Sequence, residues 1–405
     1  MACQVCGYKR LQEVIDLGHH PPSDAFLRPY ELEESEILYP LRVLHCPRCH
    51  LVQLSYAVDP RILFGDKYVY LTGMNASLTK HLQEIPAELV KRFSIKKGSL
   101  VIDIGSNDGT LLEGYKSFGM RLVGVEPSDV GKNSAKPIQV VKDFFSEETA
   151  RMMLSKYGSA QAITATNVFP HVKDLEGFMK GVRLLLAEGG VFLAESHYLR
   201  DMIEQLQYVE IYHEHLRYYS LTALVYLFSR FGMEVIDAKR IPTHGGSLQY
   251  IACKEGNYVA SPSVARILKE EIDCKLHNMR TFQAFSKQVY ATRTELMGLL
   301  WSLKRNGARI AGMPAPAKGN TLLNFCRIGP ELVDYLGEKN PFKIGRYSPG
   351  THVRVAPESE LLDDEPDYVL LLSWDIKEVL IRNLRKNGYS GKIIVPVPKP
   401  VIVDA

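Results

Sequence analysis

Cys3-x-x-Cys6 and Cys46-x-x-Cys49 are two knuckles, each able to turn a pair of thiolates toward one ion. Together they offer four sulfurs for a tetrahedral zinc site with no open position, so the metal is expected to be structural. The 39 residues between the pairs exceed the usual ribbon spacing, and His19, His20, His45 and His50 stand nearby as substitute ligands. A loop-rich stretch of this size has little core of its own, and a bound metal supplies folding free energy. Cys253, Cys274 and Cys326 are scattered singly and read as buried or neutral thiols without chemistry.

A second constellation begins at the apolar run Val101-Ile102-Asp103-Ile104. It leads into the tight turn Gly105-Ser106-Asn107-Asp108-Gly109 and then a helical pattern through Leu111, Leu112 and Tyr115. The turn is not the dinucleotide fingerprint G-x-G-x-x-G, because an Asn-Asp pair replaces the middle glycine. After the next apolar run, 121–125, Glu126 is placed to accept hydrogen bonds from both hydroxyls of a ribose. Asp103 and Asp108 crowd negative charge beside the turn, which repels a pyrophosphate and suits the sulfonium and ammonium of S-adenosylmethionine. The bland alternative is an acidic strand-to-helix turn with no ligand.

A third constellation, Tyr212-His213-Glu214-His215, gathers two imidazoles, a carboxylate and a phenol. If the segment is extended, His213 and His215 point to opposite sides, and one of them faces a given site. Histidine is the natural general base near neutral pH, and Glu214 can orient or tune it. A zinc reading lacks the i, i+4 spacing of a helical metal motif. Asn167-Val-Phe-Pro-His171 puts another imidazole after the strand 162–165, at the end of a sheet where α/β proteins bind ligands. A purely structural role is the competing reading of this cluster.

These groups need a scaffold, and the hydropathy pattern describes one. Leu78, Leu82, Ile85, Leu89 and Val90 have helical spacing. Strand-like runs at 100–104, 121–125, 162–165 and 191–194 alternate with helical patterns such as 174–186, which predicts an α/β, doubly wound parallel sheet. A long helical region covers 263–305. The α/β rhythm then resumes with strands at 308–313, 368–373 and 392–396 and a helix at 377–386. Three domains are expected, at 1–78, 79–240 and 241–405, in keeping with a length of 405 residues.

Composition limits the partners. The 49 Lys and Arg against 46 Asp and Glu give +3, so no whole-chain field recruits nucleic acid or anionic lipid. Residues 1–78 hold seven basic and nine acidic residues, the wrong balance for a zinc module that grips phosphates. That module is expected to cover an active site or dock a substrate. No apolar run approaches the roughly 18 residues needed to cross a bilayer. The N-terminal MACQVCGYKR has no apolar signal core, so a cytoplasmic protein without nucleic-acid or membrane partners is expected.

In this order the motifs resemble those of the nucleotide-sugar C-methyltransferases that build branched deoxysugars. The resemblance spans nearly the whole chain: the paired cysteines, 105–112, Glu126-Pro127, 167–171, 212–220, His244-Gly245-Gly246-Ser247, 315–320 and 345–352. It implies a zinc-binding domain, a central Rossmann-like S-adenosylmethionine domain and a C-terminal Rossmann-like domain. The implied substrate is a 4-keto-6-deoxyhexose linked to a nucleoside diphosphate (dTDP, GDP or CDP), methylated on C3 through an enolate. By motif, His215 is the base, Tyr212 lies beside the substrate, and Glu214 and His171 orient groups or bond the enolate oxygen. Asn167 joins Asp103, Gly105, Asn107, Asp108 and Glu126 at the cofactor. One of Tyr68 and Tyr70 contacts the sugar, and no catalytic metal is needed. Apart from the resemblance, Lys318 and Arg346 sit in Gly/Pro-rich loops, where they either hold a diphosphate or serve the loop structure alone. Two departures stand out: Glu210 lies nearer to Tyr212 than the family's acidic residue, and His197 replaces a common proline. An O- or N-methyltransferase with a zinc recognition module, or a non-catalytic scaffold, are the alternatives.

Overall fold

A computed structural model describes residues 1–63, 72–74, 76–135 and 137–404. Three sheets organise them. The first is antiparallel, with strands Gln12–His20, Tyr39–His45, Val52–Leu54 and Arg217–Tyr218 side by side in that order. Along Tyr39–His45 the residues Leu41, Val43 and His45 are buried while Arg42 is exposed, the two-residue period of a half-covered strand. The fourth strand arrives from far along the chain: Val52 pairs with Tyr218 and Gln53 with Arg217.

The second sheet has seven strands. Their spatial order is Met233–Ile241, Ser247–Lys254, Leu186–His197, Ala160–Thr166, Leu100–Ile104, Arg121–Val125 and Gln139–Val141. Leu100–Ile104 is buried at all five positions, as a strand covered by helices on both faces must be. Its neighbours on either side, Arg121–Val125 and Ala160–Thr166, run parallel to it. The strand order therefore reverses at Leu100–Ile104, and the crevice beyond the carboxyl ends there is where such sheets hold ligands. Ser247–Lys254 inserts antiparallel between its two neighbours. The boundary expected at 240/241 thus falls within a hairpin, and the following segment lends one strand to the central sheet.

The third sheet runs Val355–Pro357, Leu336–Glu338, Ile310–Met313, Tyr368–Leu371, Lys392–Val395 and Val401–Val403, parallel except for the last pair. The helical region expected at 263–305 is broken into Pro262–Asp273 and Met279–Arg305. Lys275 between them takes a left-handed φ of 54°, and the Asn278 side chain accepts from the Arg280 N–H to start the second helix. Among the described residues, no helix is long and apolar enough to cross a membrane.

The packing interlocks the units. One core joins Leu41 and Val43 of the first sheet to Phe282, Leu322 and Leu370 of the C-terminal unit. Another joins Cys3, Cys46 and Cys49 to Phe169, Tyr219 and Tyr250 of the central unit. Polar ties cross the same boundaries: Asn320 Nδ2 donates to the Ser23 carbonyl at 2.6 Å, and Thr321 Oγ1 to the Ile211 carbonyl at 3.2 Å.

Candidate active site

The four N-terminal sulfurs converge. Cys3 and Cys49 Sγ are 3.4 Å apart, Cys6 and Cys46 Sγ 3.5 Å, and all four lie within 4.8 Å of one another. A zinc tetrahedron with bonds of about 2.3 Å has edges of about 3.8 Å, so this set fits the ion. The residue after each second cysteine, Gly7 and His50, has a left-handed φ (71° and 61°), which closes the two knuckles. The nearby histidines are not needed as ligands: His45 and His50 pack against His277 instead.

At the switch point of the central sheet, the Gly105 and Ser106 N–H groups both donate to the Val125 carbonyl. Gly105 has φ of 68°, and a Cβ there would lie 2.3 Å from Val168 Cγ2, so no side chain fits. Glu126 is fixed at the end of its strand by three donors: the Asn107 N–H at 3.0 Å, the Ser128 N–H at 2.9 Å and the Ser128 hydroxyl at 2.6 Å. Asp103 accepts from the Thr164 hydroxyl, and burial pushes its pKa up to about 7. Asn107 Oδ1 and Asp108 Oδ2 accept the Thr72 and Gly73 N–H groups, so these two side chains dock segment 72–73 over the turn. Asn167, at φ of 55°, keeps a buried Oδ1 without a partner. An acidic cradle, a glycine with no room for a Cβ and an orphaned acceptor together fit a cationic donor with a ribose.

Beside this cradle lies a buried imidazole cluster. Residues 212–215 form a turn rather than an extended segment, with the His215 N–H donating to the Tyr212 carbonyl. The two histidines nevertheless part company: His213 faces Tyr39, and His215 faces the cluster. His215 Nδ1 lies 2.8 Å from the Glu210 carbonyl oxygen. A carbonyl only accepts, so Nδ1 carries the proton and Nε2 keeps its lone pair. His171 Nδ1 is likewise bonded to the Glu214 carbonyl at 2.6 Å. Ring centroids put Tyr212 at 4.0 Å, His197 at 4.6 Å and His171 at 5.0 Å from His215.

Burial, then the neighbouring His197 and His171, hold His215 well below the ordinary histidine pKa; burial also takes His171 and His244 down to about 4. Glu214 moves the other way, up to about 8, because of burial and then Asp24, and its Oε2 has no partner. Burial opposes ionisation of Glu210 too, but Lys318 and His197 outweigh it and keep this carboxylate charged.

Tyr68 and Tyr70 lie outside the described residues. Lys318 is not free for a diphosphate: its ammonium sits 2.6 Å from Asp375 Oδ1 and 3.4 Å from Glu210 Oε1. Arg346 is half-buried in a turn whose backbone pairs with Lys343 and Val355. Sequence reasoning passed over the roles of Glu210, His197 and Asp375, and also Glu195, which accepts from His81 Nε2 at 2.8 Å and keeps a buried Oε2 without a partner. Two of these, His197 and Glu210, had already shown as departures from the family pattern.

The chain matches three family models in series. They are a zinc binding domain over residues 3–64, a methyltransferase domain over 78–238 and a C-methyltransferase C-terminal domain over 242–398. The C-methyltransferase NovU of Streptomyces niveus is 30% identical, over all of this chain and 97% of its own length. Among solved structures, magnesium protoporphyrin IX methyltransferase of Synechocystis PCC 6803 with bound SAM is 13% identical over 48% of this chain and 89% of that one, with a TM-score of 0.34. A S-adenosylmethionine-dependent methyltransferase from Clostridium acetobutylicum is 15% identical over 44% and 92% of the two chains, with a TM-score of 0.36.

Proposed function

The chain belongs to the C-methyltransferase family, and from that premise we propose that it methylates C3 of a nucleotide-linked 4-keto-6-deoxyhexose. One observation carries the mechanism: a buried, neutral His215 whose tautomer is fixed by the Glu210 carbonyl, next to the acidic cradle of the central sheet. S-adenosylmethionine, when bound, supplies an electrophilic methyl group. Glu126 would take its ribose hydroxyls, while Asp103, Gly105, Asn107, Asp108 and Asn167 shape the acidic cradle around its cationic end.

His215 Nε2 takes the proton from the carbon beside the ketone. The imidazolium so formed lies near the ionised Glu210, which stabilises it. Glu214, largely protonated at neutral pH, is an acid able to donate to the C4 oxygen as negative charge develops there. Tyr212 and His171 wall the base, and one of Tyr68 and Tyr70 completes the sugar contact. Arg346 stays with the diphosphate. Lys318 is reassigned as the residue that holds Glu210. The sugar and its nucleotide rest on the resemblance of motifs, as does a cytoplasmic location.

The test incubates the protein with S-adenosylmethionine and a panel of nucleotide 4-ketosugars, reading the gain of one methylene by mass spectrometry. No product from any of them overturns the substrate class. Without the donor, in deuterated water, the wild type should exchange the C3 proton; exchange that persists in His215→Ala removes His215 as the base.

A further inference from the structure

His197, Glu210 and His215 bring two imidazole nitrogens and a carboxylate oxygen within 4.8 Å of one another in the buried cleft. His197 ends the strand Leu186–His197, Glu210 ends the short turn Tyr208–Glu210, and His215 closes the motif that follows. We infer that these three residues form a second metal site, which takes a divalent transition ion such as Zn2+ and shuts the reaction off by occupying the base. The inhibitory half rests on the role proposed for His215; the binding half does not.

The donor set is that of borderline ions: imidazole and carboxylate together suit zinc, iron, nickel or copper. The surroundings prepare each donor. His215 Nδ1–H is held by the Glu210 carbonyl, and such an outer bond is what orients a ligating histidine and leaves Nε2 to the ion. His197 Nε2 is buried without a hydrogen-bond partner, although it lies 3.2 Å from Glu210 Oε2. Metal bonds of about 2.1 Å set ligand edges of about 3.4 Å in a tetrahedron, so this pair already has the spacing of two ligands. The ligand atoms of all three residues lie within 4.8 Å of one another.

Charge points the same way. Lys318 engages Glu210 through Oε1, which leaves Oε2 turned to His197. Asp375 holds the same ammonium at 2.6 Å. Two formal carboxylate charges against one ammonium leave a single negative charge in a buried cluster, and burial makes an uncompensated charge costly. A dication compensates that charge. The lone pair that the ion takes from His215 is the one that would accept the substrate proton.

The experiment uses the full-length protein with its cysteine site filled by zinc, titrated with Co2+ alone. One further cobalt per chain is expected after desalting, with visible ligand-field bands and without the thiolate charge-transfer absorption of a cysteine site. His197→Gln should weaken that binding roughly tenfold to a hundredfold at unchanged zinc content. No second cobalt in the wild type, or undiminished binding in the variant, overturns the site; the wild-type result stands even should the variant misfold. Added Zn2+ should then suppress substrate proton exchange over the concentration range in which it displaces the cobalt. Binding without suppression upholds the site and overturns its inhibitory role. If no ketosugar exchanges at all, the proposed function fails while the cobalt readout still decides the metal site.

Discussion

Replacing Glu214 by glutamine separates what this carboxyl costs the fold from what it gives the reaction. Burial and then Asp24 raise its pKa from the usual 4.5 to about 8. For a pKa raised by folding, the stabilising contribution is complete below 4.5 and is lost as pH rises toward 8. Between pH 4.5 and 7 the unfolded chain gives up this proton and the folded chain keeps it. At about 1.4 kcal/mol per pH unit, the folded state is thereby penalised by roughly 3 kcal/mol at neutral pH. Glutamine has nearly the same shape and does not ionise. Glu214→Gln should therefore be the more stable protein by roughly 3 kcal/mol at pH 7 and no different at pH 4. Urea unfolding followed by circular dichroism from pH 4 to 8 measures the gap. The rate should show the other side: the wild type loses activity above about pH 8, whereas the amide keeps a donor and carries activity further into base. A stability gap that is the same at pH 4 and pH 7 would mean the carboxyl titrates normally in the fold, and the reasoning fails.

Further outcomes follow from the same geometry. Lys318→Met strips a buried carboxylate of its cation and should cost roughly 3–5 kcal/mol in unfolding experiments, with Lys318→Arg recovering much of it; a neutral result would mean the ion pairs do not persist in solution. The acid limb of the pH–rate profile should lie below 6.5, since burial holds His215 neutral, and Glu210→Gln should move it lower still by removing the charge that raises this pKa. Cys46→Ser should lower zinc content and the melting temperature together, and a stable zinc-free variant would refute a structural metal. Gly105→Ala, which drives a Cβ to within 2.3 Å of Val168, should weaken binding of S-adenosylhomocysteine roughly tenfold by calorimetry, and an unchanged affinity would count against the cradle.

Legibility in the sequence followed the range of the interactions. The cysteine knuckles, the 105–109 turn and the strands at 100–104 and 121–125 could be read directly, because spacing and hydropathy are local signals and the structure keeps them. The break at 274–278 in a long helical pattern depended on one left-handed residue and one capping asparagine, which periodicity alone passes over. Lys318 was misread because its partners are set by tertiary apposition: Glu210 is remote in sequence, and a lysine in a loop looks free until the fold encloses it. His197 and Glu210 gave a signal of another kind, visible only as departures from an expected motif. The antiparallel strand Ser247–Lys254 could not be assigned to a sheet from pattern, since it lies after the expected boundary and both its pairing partners belong to the unit before it.

The first sheet is finished by Arg217–Tyr218, a strand made about 160 residues after Val52–Leu54. During synthesis at roughly 5–20 residues per second, the amino-terminal segment must wait on the order of ten seconds or more with one sheet edge open. Residues 217–218 follow directly on the histidine motif, so the event that closes that edge also delivers His215 to its place. A nascent chain stalled short of this point would expose the unpaired edge of Val52–Leu54 as a template for other strands. Expression with rare codons clustered before residue 217 should therefore raise the aggregated fraction more than the same codons placed after residue 254.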